Sequence, residues 1–198
     1  MNTQISKFCT SEGDALLIVD VQNDFLPGGN LAVPEGDQVV AVLNRYIAHF
    51  RERGLLVIAT RDWHPPNHCS FRAQGGPWPP HCISGTVGAA FPKALALPVT
   101  TLVISKATRA DKDAYSGFED TGLETQLRSL GVHRVFVGGL ATDYCVLNTV
   151  LDACQAGFMA VLLTDAIRAV NLRPGDGDRA IELMQSKGAT PAAIEDFS

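Results

Sequence analysis

The chain has 198 residues, about one domain, and its 46% hydrophobic content can bury a core without disulfide staples. A net charge of −5 with no basic stripe excludes the electrostatic footprint of a nucleic-acid binder. Five cysteines, an odd number with no CxxC pair, argue against a disulfide framework and for a reducing compartment, so the expected location is cytoplasmic. The opening MNTQISKFCTSEGD has no apolar leader core, and no run approaches the ~18 apolar residues of a membrane span.

Ala15–Val19 (ALLIV) is continuously apolar, as suits a strand buried on both faces. Val39, Leu43, Tyr46, Ile47 and Phe50 then recur on one face of a helix, with Gly54 as its C-cap. A second strand at Leu55–Ala59 leads into an interval, Arg61 to Thr101, rich in Pro, Gly, His and Trp and without periodicity. A stretch this long in a compact domain is usually functional. Leu102–Ile104 is the third strand. Thr121-Gly-Leu-Glu124 reads as a capping box ahead of Leu123, Leu127 and Leu130. A fourth strand at Val135–Val137 precedes a helix over Cys145–Ala156, and a fifth at Met159–Leu163 precedes a helix over Asp176–Lys187. In that last helix Ile181 and Met184 point inward, and Gly188 ends it.

This order predicts an α/β fold: a doubly wound, mainly parallel β-sheet with helices on both faces. One domain spans residues 1–198, with 61–101 as a long loop insertion. The closing ATPAAIEDFS reads as a poor strand, because of Pro191 and the alanines.

Ligands of open α/β sheets bind beyond the carboxyl ends of the strands. There the chain places Asp20 after strand one, Asp62 and His64 after strand two and Lys106 after strand three. The fourth strand runs through Gly138-Gly-Leu-Ala-Thr-Asp143 to Cys145 at the start of a helix. A helix N-terminus and a nearby lysine favour a thiolate, and its backbone N–H groups suit an oxyanion, a contribution often worth about 3 kcal/mol. Asp20 would move the proton. Singly, each residue has a plainer reading: a helical cysteine is usually core, a strand-end lysine solvated, an aspartate a turn cap. Cys154 fits the core reading, and Cys9, Cys69 and Cys82 have nothing nearby to activate them.

The long loop holds Asp62-Trp-His64, His68 and Trp78-Pro-Pro-His81, three of the five histidines. A carboxylate with imidazoles suits Zn²⁺, Fe²⁺ or Mn²⁺ with open positions. Hydrogen-bonded loop residues are the plain alternative, and Cys69 and Cys82 beside the histidines leave a structural zinc knot open. GxGxxG, P-loop, HExxH and GxSxG patterns are absent, which removes the simplest support for a nucleotide cofactor or a serine hydrolase.

Asp20-Val-Gln-Asn-Asp-Phe25, Asp62-Trp-His64, Trp78-Pro-Pro-His81-Cys, Lys106, Tyr115-Ser-Gly-Phe118 and Gly139-Leu-Ala-Thr-Asp-Tyr-Cys145 occur in the order seen in nicotinamidases, also called pyrazinamidases. The chain resembles these isochorismatase-like cysteine hydrolases from about Leu16 to Arg173. The resemblance implies a catalytic triad of Asp20, Lys106 and Cys145, and an oxyanion hole of the Ala141 and Cys145 N–H groups after a cis Leu140–Ala141 peptide. It implies one divalent metal, zinc foremost, on Asp62, His64 and His81, with His68 or Ser70 as a fourth ligand. Phe25 and Trp78 would sandwich a pyridine ring, with Tyr115 beside them. The implied substrate is nicotinamide, with pyrazinamide as an analogue and a place in pyridine-nucleotide salvage. No nucleic-acid or membrane partner is expected, and a homo-oligomer is left open. The rivals are a cysteine amidohydrolase acting on a carbamoyl or ureido compound and a non-catalytic metal-binding protein on the same fold.

Overall fold

The computed structural model describes residues 8–197; positions 1–7 and 198 of the expected domain lie outside them. Among the described residues, β1 (Asp14–Val19), β2 (Leu56–Asp62), β3 (Leu102–Lys106), β4 (Arg134–Leu140), β5 (Met159–Arg168) and β6 (Thr190–Ala192) form one sheet. Its order is β3-β2-β1-β4-β5-β6, and every neighbouring pair is parallel. The helices are α1 (Gln38–Glu52), α2 (Leu123–Ser129), α3 (Leu147–Gln155) and α4 (Asp176–Ser186). The doubly wound α/β expectation therefore holds.

Side-chain alternation along β1 explains the three layers. Leu16 and Ile18 enter a core with Val39, Leu43, Tyr46 and Phe50 of α1. Ala15, Leu17 and Val19 enter the opposite core, with Leu123 and Leu127 of α2, Val150 of α3 and Met184 of α4. All of β1 is buried, as its unbroken apolar run requires. Strand order reverses direction between β1 and β4, so a crevice opens beyond their carboxyl ends, where such folds bind ligands.

Several boundaries differ from the sequence reading. β2 runs on to Asp62 because Thr60 is buried against Asp20, while Arg61 stacks on the Trp63 ring at 3.6 Å and bonds Ser105 at 2.9 Å. Those partners satisfy polar groups that interrupt the apolar run. β5 likewise continues past Thr164 and Asp165; Tyr46 donates to Asp165 at 2.8 Å and Thr164 to the Ala192 carbonyl at 3.1 Å. The Thr121 capping box does not form: Gly122 is the N-cap, and the Thr121 hydroxyl donates back to the Gly117 carbonyl at 2.6 Å. The C-terminal segment does pair, as the three-residue edge strand β6, a position where Pro191 is tolerated.

Candidate active site

Three strand ends and one turn build the site. After β1 the chain steps off through Asp20 at φ +49°, its N–H still directed at the Thr60 carbonyl 3.3 Å away. Left-handed backbone recurs at Ala107 (φ +50°), after β3, and at Cys82 (φ +45°) in the long loop. Such conformations in non-glycine residues persist where the surroundings over-determine them, commonly at functional sites. β4 ends in a cis Leu140–Ala141 peptide, as the resemblance implied. A single π turn over Thr142–Val146 then carries Cys145, and α3 begins only at Leu147. Cys145 thus lies in a wide turn, a frequent feature of functional sites, rather than in the first turn of an α-helix.

Asp20, Lys106 and Cys145 meet in a buried cluster. Lys106 Nζ lies 3.1 Å from Asp20 Oδ2, 2.5 Å from Asp62 Oδ1 and 3.5 Å from Cys145 Sγ, and donates to the Ala114 carbonyl at 3.0 Å. Thr60 Oγ1 donates to Asp20 Oδ1 at 2.6 Å, and Asp20 Oδ2 receives no directed hydrogen bond. A carboxylate oxygen of Asp20 and Cys145 Sγ lie within 4.8 Å of each other.

One ammonium between two carboxylates divides their behaviour. Burial lifts Asp20 above the usual carboxylate range against the pull of Lys106. Burial acts the same way on Asp62, but Lys106 and His64 outweigh it and hold Asp62 below that range. Burial opposes the Lys106 charge, yet Asp20, Asp62 and Cys145 hold it well above the ordinary lysine value. Burial, with Asp20 and Asp62 adding to it, also pushes the Cys145 thiol well above its ordinary value despite Lys106. Burial and the two carboxylates thus favour the thiol, against the pull toward thiolate that Lys106 exerts.

Next to this cluster, Asp62, His64 and His81 offer ligand atoms that all lie within 4.8 Å of one another. His64 Nδ1 faces the Ala107 carbonyl at 3.2 Å and His81 Nδ1 the Pro79 carbonyl at 2.8 Å. A carbonyl partner requires N–H at Nδ1, and in the neutral ring that leaves the lone pair on Nε2, the arrangement that orients metal-binding histidines. His64 Nε2 is buried without a hydrogen-bond partner, and burial holds His81 below the usual histidine value, toward the neutral form a metal needs. These residues fit a divalent cation. His68 stacks on His64 with ring centroids 4.1 Å apart, but its Nε2 faces the Lys112 carbonyl at 3.1 Å and its Nδ1 the Ser70 hydroxyl at 2.7 Å. His68 and Ser70 are thus bonded to each other beside the three-residue cluster.

Cys145 of the first group and Asp62, His64 and His81 of the second line one pocket, whose empty space together with its open mouth is about 550 Å³. Phe25, Trp78 and Tyr115 line it, together with Ala141 and Cys145. Trp78 Nε1 donates to the Tyr115 hydroxyl at 2.9 Å, and the Phe25 ring lies 5.6 Å from that of His81. Tyr144, which the sequence reading missed, packs edge-on against Trp78 at 5.3 Å and closes the aromatic wall. Its position beside Cys145 was the available signal. Thr60 was missed too, since nothing in its neighbours marks it. The remaining cysteines lie apart in character: Cys82 is buried and strongly raised by that burial, Cys154 is half-buried and raised by the same cause, and Cys9 is exposed.

A parallel sheet with a cysteine, an aspartate and a lysine converging at its switch point is the frame of a cysteine hydrolase. Residues 14–196 match the isochorismatase domain, and the chain belongs to that family. It is 42% identical to a nicotinamidase of Escherichia coli over 92% of this chain and 96% of that protein. Among solved structures it is similar to the pyrazinamidase of Pyrococcus horikoshii in complex with zinc, with 51% identity, a TM-score of 0.88 and coverage of 92% and 99% of the two chains. It is similar also to PnC1 from L. infantum in complex with nicotinate, with 38% identity, a TM-score of 0.88 and 96% of each chain covered.

Proposed function

We propose that this protein hydrolyses nicotinamide to nicotinate and ammonia, with pyrazinamide as an analogue substrate. The observation that carries this reading is one aromatic pocket with the Asp20–Lys106–Cys145 cluster and the Asp62–His64–His81 cluster both on its lining or behind it. The pyridine ring lies between Phe25 and Trp78, with the carboxamide toward Cys145. Asp62, His64 and His81 would hold one divalent cation, zinc foremost, which when bound supplies a Lewis-acid anchor for the ring nitrogen.

The protein's own groups carry the chemistry. Asp20 removes the thiol proton as Sγ attacks the carboxamide carbon; its raised basicity suits that task, and Thr60 holds the carboxylate in place. The Ala141 and Cys145 N–H groups receive the oxyanion. The tetrahedral adduct collapses, the C–N bond breaks, and Asp20 returns its proton to the departing nitrogen. Water then attacks the thioester with Asp20 as base, releasing the carboxylate and restoring the thiol. Lys106 stays charged throughout and balances the carboxylates. The reduced thiol this requires suits a cytoplasmic setting; no helix among the described residues is long and apolar enough to cross a membrane.

The test is ammonia release from nicotinamide by purified protein, before and after chelation and after metal is restored. Activity that chelation removes and metal returns supports the reading. No release from nicotinamide, with release from a ureido or carbamoyl compound unaffected by chelation, overturns it.

A further inference from the structure

The segment from Asp20 to Phe25 supplies a carboxylate and an aromatic wall to the mechanism, and leaves two buried polar side chains between them without a role. Gln22 is fully buried and Asp24 is 5% exposed. Neither lines the pocket, and each bonds backbone at or next to a metal-ligand candidate.

Gln22 acts in place of a missing strand. The β1–β2 ladder ends at Ile18–Ala59, and after Val19 the chain turns away at Asp20, so residue 62 has no β1 partner. The Gln22 side-chain amide fills that gap: Oε1 accepts from the Asp62 N–H at 2.8 Å and Nε2 donates to the Asp62 carbonyl at 2.8 Å. Nε2 also donates to the Ala89 carbonyl at 2.9 Å. Both backbone groups of Asp62 are thereby clamped on one side, while the β3 register holds the other.

Asp24 does the same for the histidines through one residue, Cys82. Its Oδ2 accepts from the Cys82 N–H at 2.7 Å, and its Oδ1 accepts from the Asn30 N–H at 3.2 Å and the Asn30 amide at 2.9 Å. Cys82 follows His81 directly, and the Cys82 carbonyl accepts from the His64 N–H at 3.0 Å. Cys82 holds a left-handed φ of +45°, so an anchor on its N–H fixes a strained residue that spaces His81 from His64. Gly88 packs so closely on the Asp24 carboxylate that a side chain there would collide with it.

We propose that Gln22 and Asp24 are positioning residues for the metal centre, Gln22 setting Asp62 and Asp24 setting His81 against His64 through Cys82. This rests on the metal reading above. The residues act on ligand geometry rather than on substrate, so their loss weakens metal retention before it alters chemistry. Outer partners of metal ligands typically contribute 10–100-fold in affinity.

The experiment measures zinc affinity of Q22M, Q22E and D24N by competition with a chromophoric chelator, alongside the melting temperature of each metal-free protein. Q22E keeps the shape and the acceptor for Asp62 N–H but loses the donor; D24N keeps shape and loses one acceptor. The expected result is zinc affinity lower by about 10–100-fold, with kcat recovered at excess zinc and KM near wild type. Equal zinc affinity in variant and wild type overturns the proposal, as does a lowered metal-free melting temperature with unchanged zinc affinity, which marks a role in folding alone. Should Q22M fail to fold, the isosteric Q22E and D24N decide it on the same readouts. Failure of the wild type itself to bind zinc would instead strike the metal reading.

Discussion

The two ends of the pocket are built by different means. At the catalytic end, Asp20, Lys106 and Cys145 project from or just beyond β1, β3 and β4, and their positions follow from strand register and from a buried ammonium shared by two carboxylates. At the loop end, His64, Trp78 and His81 sit on irregular chain, where single hydrogen bonds do the holding: carbonyls on each Nδ1, Tyr115 on Trp78, and Asp24 on Cys82. The first end is set by the fold as a whole, so damage there is felt globally. The second is set contact by contact, so it can be altered locally.

The largest expected effect separates chemistry from scaffolding. C145A lowers ammonia release by about 10⁴-fold or more, the scale on which lost nucleophiles act, while the zinc content of the purified protein stays at the wild-type level. Parallel loss of activity and metal would show that the two ends are not independent. K106M attacks the contact that joins them. It strips the counter-ion from two buried carboxylates, and breaking such a pair costs about 3–5 kcal/mol, to be read as a lower midpoint in urea unfolding. A midpoint near wild type would mean that the cluster rearranges at little cost.

The pH profile comes next. In the proposed mechanism Asp20 is ionised when it accepts the thiol proton, and burial raises its pKa. Below that raised value kcat/KM falls about tenfold per pH unit, so the acid limb lies above the usual carboxylate range; metal content checked at each pH separates this from ligand protonation. T60V sharpens the assignment. The Thr60 hydrogen bond lowers the Asp20 pKa, so removing it shifts the limb to higher pH and costs about tenfold in kcat, the range of a bond to a charged group. An unmoved limb would assign the titration elsewhere. The smallest effect is at the loop wall: Y115F removes the acceptor for Trp78, a neutral bond worth about 1 kcal/mol, and raises KM several-fold with kcat held.

How much could be read in advance follows the same division. Apolar runs marked the strands, and the residues just past them are the catalytic candidates, because sheet geometry converts sequence position into spatial position. The runs failed where polar side chains found buried partners. Thr60 ends the apolar pattern of β2 yet is fully buried, since Asp20 accepts its hydrogen bond. Gln22 and Asp24 went unmarked for the same reason: their partners, Asp62 and Cys82, are 40 and 58 positions away. The upward pull on the Cys145 thiol was equally hidden, because burial and neighbouring carboxylates outweigh Lys106 and neither is visible in spacing. Asp62-Trp-His64 and His81 were legible as a pattern, while the bond between His68 and Ser70 needed coordinates.

Gly139 carries a consequence for how this protein can change. It sits at φ +127° opposite Val19, and a side chain there would run into the Val19 backbone. The strand ends that bear Asp20 and lead to Cys145 therefore meet without slack, and a saturation library at position 139 would return glycine. An exchange of ring size at Trp78, which sits in the long loop, leaves those strand ends undisturbed.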